Sequence, residues 1–282
     1  MISPVLILHG GAGNKFTDAA RRERIQGKLL KTLDQAYACL CDQNALEAVT
    51  LAVRLMEDDE DFNAGTGSRL QADGRARLSA SVMDGTAERF AGVINIENIK
   101  NPVLVAKALL EKDFRVMAAD EAAVYAHSLG FDSVDTRTPE AVRRWKTWKE
   151  KGFDTVGACA LDAEGHLAAA TSTGGRGFET PGRVSDSGMP IANYANAHCA
   201  LSATGIGEDI IDQGLSVKIA TRAQDGLALA DAFAKTFKEV RAKNRLMGAV
   251  GLDRQGNVAW DTTTDVLIYA WKNKKTMEIF KA

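Results

Sequence analysis

Two stretches in the second half of the chain follow one pattern. Gly157-Ala-Cys-Ala-Leu-Asp-Ala-Glu-Gly-His-Leu-Ala-Ala-Ala-Thr-Ser-Thr173 and Gly248-Ala-Val-Gly-Leu-Asp-Arg-Gln-Gly-Asn-Val-Ala-Trp-Asp-Thr-Thr-Thr264 each run through an Asp-x-x-Gly turn into a returning segment, which is how a β-hairpin reads. Their strands are apolar on both faces, and a sheet of that kind must be covered on both sides. With amphipathic helices elsewhere in the chain, the arrangement this predicts is helix, sheet, sheet, helix.

The other elements fit those layers. Val5 to Leu8 predicts a buried strand entering a tight turn at His9-Gly-Gly-Ala-Gly13. A helix follows from Thr17-Asp18 with Ile25, Leu29, Leu30 and Leu33 on one face, and a second is capped by Asn44 with Glu47 three residues on. After an acidic stretch, Glu57 to Asp61, a hairpin is expected around Asp73-Gly74, reaching Met83. Asn101-Pro102 opens another helix, and a further one ends near Gly130. Arg137 to Asp154 reads as charged surface linker, Gly174 to Tyr194 as a glycine-rich connection, and Ser216 to Lys243 as helices. The 282 residues are expected to form one domain.

Charge narrows the function. Lysine plus arginine number 35 against 37 acidic residues, a net charge of −2, so no broad basic field draws nucleic acid. No apolar run approaches the roughly 20 residues of a membrane helix, and the start lacks a secretory signal's basic and cleavage regions, which predicts a cytoplasmic protein. Cys39, Cys41, Cys159 and Cys199 show no paired zinc spacing and read as core filler. The histidines, His9, His127, His166 and His198, are scattered. No Gly-x-Ser-x-Gly elbow or Walker loop occurs, and His9-Gly-Gly-Ala-Gly lacks the spacing of a phosphate loop.

Glycine, at 25 residues, is abundant and clustered, and its clusters flank threonines. Asp154-Thr155-Val156-Gly157, Thr171-Ser-Thr173-Gly174-Gly175, Gly182-Arg183-Val184-Ser185-Asp186-Ser187 and Ala203-Thr204-Gly205-Ile206-Gly207-Glu208 follow in order. With His9-Gly-Gly-Ala-Gly13, Phe62-Asn-Ala-Gly65, Met83-Asp-Gly85 and Asn101-Pro102, this order resembles the plant-type asparaginase and isoaspartyl aminopeptidase family of N-terminal nucleophile hydrolases. The resemblance runs nearly end to end. It implies an α/β, four-layer αββα sandwich over residues 1–282, cut by itself at Asp154-Thr155 into an α subunit, 1–154, and a β subunit, 155–282.

The implied chemistry suits these residue types. A hydroxyl is a weak nucleophile, but a free α-amine, with a pKa of about 7.7 to 8, takes the hydroxyl proton near neutrality. Thr155 would thus supply nucleophile and base together. Read alone, it is a β-branched strand opener. The resemblance further implies that Thr173 tunes the nucleophile, that Thr204 and the Gly205 amide form the oxyanion hole, and that Asn63 helps hold this centre. Arg183 matches a clamp on the substrate α-carboxylate, and Asp186, with Gly207, a receptor for the α-ammonium. Backbone carbonyls of Met56, Glu57, Asp59, Phe62, Ala64 and Thr66 match a sodium site; no cofactor is implied for catalysis.

Two stretches depart from the family pattern. Ser185 and the Ser187-Gly-Met-Pro190 run put side chains where the family has glycine-rich backbone, and Thr262-Thr-Thr-Asp-Val266 replaces a Thr-x-Gly-Met pattern. Both touch the leaving-group side. The segment before Thr155 is short. The expected function is hydrolysis of β-aspartyl dipeptides, with L-asparagine as a second substrate, by a homodimer of processed αβ units. The alternatives are a glycosylasparaginase, a threonine endopeptidase of the same fold, or an uncut, non-catalytic metabolite-binding protein.

Overall fold

The first strand already differs from the expected glycine turn. In the computed structural model, which describes residues 2–147 and 154–281, β1 spans Val5–Gly13. It takes in the whole His9-Gly-Gly-Ala-Gly run and pairs antiparallel with β5, Val156–Leu161, and β11, Val266–Asn273. A register shift between His9 and Gly11 marks a bulge. Gly11 has φ +121°, and a Cβ there would lie 3.1 Å from Asp154 Oδ1, so only glycine fits.

Around β1 and β5 an eight-stranded sheet assembles in the order β12-β11-β1-β5-β6-β2-β3-β4. Its other members are β2 (Leu78–Asp84), β3 (Arg89–Ile96), β4 (Val116–Ala118), β6 (Leu167–Thr173) and β12 (Met277–Ile279). A four-stranded sheet packs on it in the order β10-β9-β8-β7: β7 is Asn193–Ala195, β8 Cys199–Gly205, β9 Met247–Asp253 and β10 Val258–Thr262. α1 (Ala19–Asp42), α2 (Ala45–Glu57), α3 (Pro102–Leu109) and α4 (Ala119–Ser128) cover the large sheet. α6 (Gly207–Gln213), α7 (Leu215–Gln224) and α8 (Leu229–Ala242) cover the small one. The αββα order is as expected.

Side-chain alternation sorts chemistry between these layers. On β6, Ser172 faces α2, where its hydroxyl donates to Glu57 Oε1 at 2.6 Å, while Thr171 reaches Ser202 of β8 at 2.7 Å. On β5, Cys159 faces Val250 of β9, and a Cβ on Gly157 would lie 2.0 Å from Ser202 Oγ. The inter-sheet layer beside Thr155 is therefore small and polar. The large apolar side chains sit under the helices: Ile25, Leu29, Leu33 and Leu40 of α1, Val49, Val53 and Met56 of α2, Phe233 and Phe237 of α8. Each such burial contributes about 1.5–3 kcal/mol.

Several expectations change in detail. Asp73-Gly74 forms a turn, with Gly74 N donating to Gln71 O at 2.9 Å, but no strand precedes it; the hairpin here is β2–β3. The Asn44 side chain caps α2 through Glu47 N at 2.9 Å, whereas Asn101 makes no cap bond and gives its amide to Asp58 at 3.1 Å. Within the expected linker, Pro139–Thr147 is helical (α5), and residues 148–153 lie outside the described part. The helices after the glycine-rich connection begin at Gly207, before Ser216. β10 is half-exposed, so it lacks the double-sided burial of β5, β6 and β9. Cys159 and Cys199 are core residues, but Cys41 is exposed and Cys39 half-buried.

Candidate active site

Thr155 sits at the first residue before β5, 5% exposed, where both neighbouring ladders end. Its hydroxyl points to Thr173 Oγ1 at 3.4 Å, and Thr173 closes β6. The Thr173 hydroxyl in turn donates to the Asp154 carbonyl at 3.2 Å and accepts from Gly175 N at 3.1 Å. Asn63 Nδ2 donates to the same Asp154 carbonyl at 2.7 Å and to Gly175 O at 2.6 Å, while its Oδ1 accepts from Arg69 N at 2.9 Å. The peptide group joining Asp154 to Thr155 is thus polarised by two donors beside a threonine hydroxyl.

A narrow cleft opens from this point, lined by Asp154, Thr155, Thr173, Gly175, Arg176, Arg183, Ser185, Asp186, Gly205 and Gly207. Thr155, Thr173, Gly205, Gly207, Arg183 and Asp186 therefore meet in it, while Thr204 and Asn63 are not among its lining residues. β8 delivers Thr204 and Gly205. Thr204 is fully buried, and its hydroxyl finds no partner among the described residues. Gly205 has φ +133°, and a Cβ there would lie 2.6 Å from Met247 Cα. Ser185 Oγ and Asp186 Oδ2 are likewise buried and unpartnered. Unsatisfied buried groups are costly, and those of Ser185 and Asp186 line the cleft, where a polar ligand would satisfy them.

Arg183 differs from a free clamp. Its Nε and Nη2 bond Glu208 at 2.9 and 3.0 Å, and Nη1 stands 3.6 Å from Glu179. Burial works against its charge, but the Glu208 hydrogen bond and the surrounding carboxylates raise its pKa further. A Cβ on Gly207 would lie 2.6 Å from Arg183 Nη2 and 2.7 Å from Asp186 Oδ1. Bare backbone at Gly207 therefore leaves the gap between guanidinium and carboxylate open. Burial pushes Asp186 up to about 6, and the positive charge of Arg183 holds it from rising further.

Residue order did not reveal the charged partners. Arg69 Nη2 pairs with Asp154 Oδ2 at 2.7 Å, Glu208 holds Arg183, and Arg176 stands 3.5 Å from Glu208 with its Nε buried and unpartnered. These pairs join distant segments, so no local spacing marks them. Glu57, named for its carbonyl, also carries a buried carboxyl. Burial pushes it up to about 8, opposed by its bonds to Ser172 and Val103 N.

The acidic loop keeps its side-chain charges outside. Asp59 and Asp61 pair with Lys28 at 2.6 Å each, and Asp61 with Arg24 at 3.0 Å. Inside, a Cβ on Gly65 would lie 2.4 Å from Glu57 O, and one on Gly67 would lie 2.0 Å from Phe62 O and 2.7 Å from Glu60 O. Gly65 and Gly67 thus each keep open a space beside a backbone carbonyl that a Cβ would fill. Met56, Asp59, Phe62 and Ala64 carbonyls each accept one backbone hydrogen bond, and a carbonyl oxygen keeps a second lone pair.

Comparison with known proteins adds what geometry does not. The sequence profile of one family, described as asparaginase, matches residues 2–152 and 146–281. An isoaspartyl peptidase/L-asparaginase from Nostoc sp. is 40% identical, over 96% of this chain and 92% of its own length. A plant-type L-asparaginase from Pyrobaculum calidifontis is 35% identical, over 94% and 96%. An isoaspartyl peptidase from Escherichia coli is 33% identical, over 95% and 92%.

Proposed function

This chain belongs to the asparaginase family and is a hydrolase, and from that premise we propose that it cleaves β-aspartyl dipeptides and, secondarily, L-asparagine, after cutting itself between Asp154 and Thr155. The observation that carries this reading is the cleft itself. There the Thr155 hydroxyl, the doubly polarised Asp154 carbonyl, the unpartnered oxygen of Asp186 and the Gly205 backbone stand together.

In the uncut chain, Thr155 Oγ attacks the Asp154 carbonyl carbon as its proton passes to Thr173 Oγ1 and the Thr173 proton passes to the carbonyl oxygen that it bonds. Asn63 Nδ2 and the Thr173 hydroxyl hold the developing oxyanion. The carbon–nitrogen bond breaks as that proton returns through Thr173 to the nitrogen, and the resulting ester adds water. Asp154 leaves as a carboxylate, and Thr155 keeps a free hydroxyl and α-amine.

Turnover reuses that hydroxyl. The α-amine of Thr155 takes its proton, Oγ attacks the substrate's β-carbonyl, and Thr204 Oγ1 with the Gly205 amide receives the oxyanion. Asp186 Oδ2 takes the substrate ammonium, and the guanidinium edge of Arg183 not held by Glu208 takes the α-carboxylate. The leaving amine departs with the proton from Thr155, and water releases L-aspartate from the acyl-enzyme.

The space kept open at Gly65 and Gly67 beside the Glu57 and Phe62 carbonyls supports a hard monovalent cation here, and the carbonyls of Met56, Glu57, Asp59, Phe62, Ala64 and Thr66 would hold sodium as a structural ion. Its removal is expected to lower the melting temperature. The same reading makes the active species a homodimer of processed αβ units working in the cytoplasm. Among the described residues, no helix is long and apolar enough to cross a membrane.

The test is aspartate release from a panel of β-aspartyl dipeptides and from L-asparagine by the processed protein. Turnover of the dipeptides with slower turnover of asparagine is expected. An intact chain that binds these ligands without hydrolysis would replace this reading with that of a binding protein.

A further inference from the structure

His9 lies outside the cleft but touches the residue at its centre. It is completely buried at the end of the β1–β5 ladder, where its register partner is Gly157. Thr155 lies two steps further along that ladder, but pairing stops at Gly157, and β5–β6 pairing stops at Val156 opposite Ser172. The Thr155 carbonyl is therefore left without a sheet partner. His9 Nδ1 meets it at 3.0 Å.

The rest of the imidazole is tied down as firmly. Nε2 lies 2.7 Å from Ser202 Oγ on β8, and Ser202 Oγ lies 2.7 Å from Thr171 Oγ1 on β6. A Cβ on Gly157 would stand 2.3 Å from Nε2, so glycine after the nucleophile is what admits the ring. Hydrogen-bond chemistry sets the direction of this chain. A carbonyl oxygen only accepts, so Nδ1 carries the proton and Nε2 accepts from Ser202. Ser202 then accepts from Thr171. Burial, against the pull of the Thr155 bond, lowers the His9 pKa to about 3, so the ring stays neutral and this tautomer persists at working pH.

We propose that His9, oriented by Ser202 and Thr171, is a positioning residue that pins the Thr155 carbonyl and so holds the nucleophile in place once the upstream chain is cut. The inference rests on Thr155 being the nucleophile. Before scission, Thr155 is anchored through Asp154, whose carbonyl and side chain are bonded by Asn63, Thr173 and Arg69. After scission Asp154 belongs to a separate polypeptide, so bonds made to Asp154 no longer hold Thr155, whereas His9, on that same upstream piece, bonds Thr155 itself. The planar peptide group of Thr155 and Val156 then carries the nucleophile, whose hydroxyl keeps only its 3.4 Å contact with Thr173. Its oxygen is held by His9 and its Val156 side by the register with Ser172. A nucleophile displaced by about 1 Å loses on the order of 10²-fold in rate, so one hydrogen bond at this point governs turnover.

The experiment compares His9→Asn, His9→Gln and Ser202→Ala as processed proteins, with kcat and KM measured on one β-aspartyl dipeptide. An asparagine amide nitrogen overlies Nδ1 and still donates to Thr155, whereas a glutamine amide overlies Nε2 and serves only Ser202. His9→Gln is expected to lower kcat by about tenfold or more, with KM within about twofold. His9→Asn should recover most of that loss, and Ser202→Ala should lower kcat less than His9→Gln does. Equal kcat for the Asn and Gln variants, or a change confined to KM, would overturn the proposal and leave His9 as core packing. If the His9 variants do not fold or process, Ser202→Ala and Thr171→Val decide from outside direct contact with Thr155, and wild-type kcat in both overturns it. Failure of the parent reading shows separately, as hydrolysis by Thr155→Ala protein.

Discussion

The side-chain amide of Asn63 donates to the carbonyl of Asp154 at 2.7 Å. It therefore contacts the peptide bond proposed to break rather than the cleft in which turnover would follow. Asn63→Asp keeps the shape and the acceptor for Arg69 N but loses the donor. An oxyanion donor is worth about 2.7–4 kcal/mol, so Asn63→Asp should slow self-cleavage on the order of 10²-fold or more. The rate at which the full-length band disappears on denaturing gels after purification measures it.

Arg183 separates processing from turnover. The scissile peptide offers no free α-carboxylate, so Arg183→Ala should cut itself nearly as fast as the wild type. In turnover, loss of a charge-assisted contact should reduce kcat/KM by about 10²-fold or more, and Arg183→Lys should restore little because it lacks the planar fork. Assays of fully processed variant on a β-aspartyl dipeptide check this, and wild-type efficiency would assign Arg183 to holding Glu208 alone.

Asp186 predicts a pH dependence. Its carboxyl is raised to about 6 by burial, partly offset by Arg183, and only its anion can receive the substrate ammonium. The anion predominates above about pH 6 and is lost as pH falls through that value, so kcat/KM should fall on the acid side with a titration near 6. Asp186→Asn should be much less active, and its residual activity should lack that step. A pH profile of kcat/KM for both proteins makes the comparison.

The chain's own order revealed more of the chemistry than of its supports. The hairpins after Gly157 and Gly248 were legible because apolar segments and an Asp-x-x-Gly turn lie side by side in sequence. The His9-Gly-Gly-Ala-Gly run was read as a turn because glycines usually mark one. Its role as strand depends on β11, at the other end of the chain, and on a bulge at Gly11 that makes room for Asp154. Asp73-Gly74 does turn, but the residues before it have no strand to pair with, and the hairpin moved to Gly85. At the site, Thr155, Thr173, Thr204 and Gly205 were named through the resemblance of ordered motifs, since Thr155 read alone is a strand opener, and β5, β6 and β8 bring Thr155, Thr173 and Gly205 to the same cleft. Arg69 with Asp154 and Glu208 with Arg183 could not be named so, since each pair forms only after distant segments pack.

The central claim is that one hydroxyl, on Thr155, performs both self-cleavage and turnover, and the most direct measurement is the intact mass of wild-type and Thr155→Ala proteins beside their hydrolytic activity. The wild type should separate under denaturing conditions into pieces matching residues 1–154 and 155–282 and should release aspartate. Thr155→Ala should remain one uncut chain without activity, and Thr155→Ser should retain partial processing because the hydroxyl persists while the methyl that restricts its rotamer is gone. Cleavage of Thr155→Ala at the same bond, or aspartate release by its uncut chain, would contradict the account.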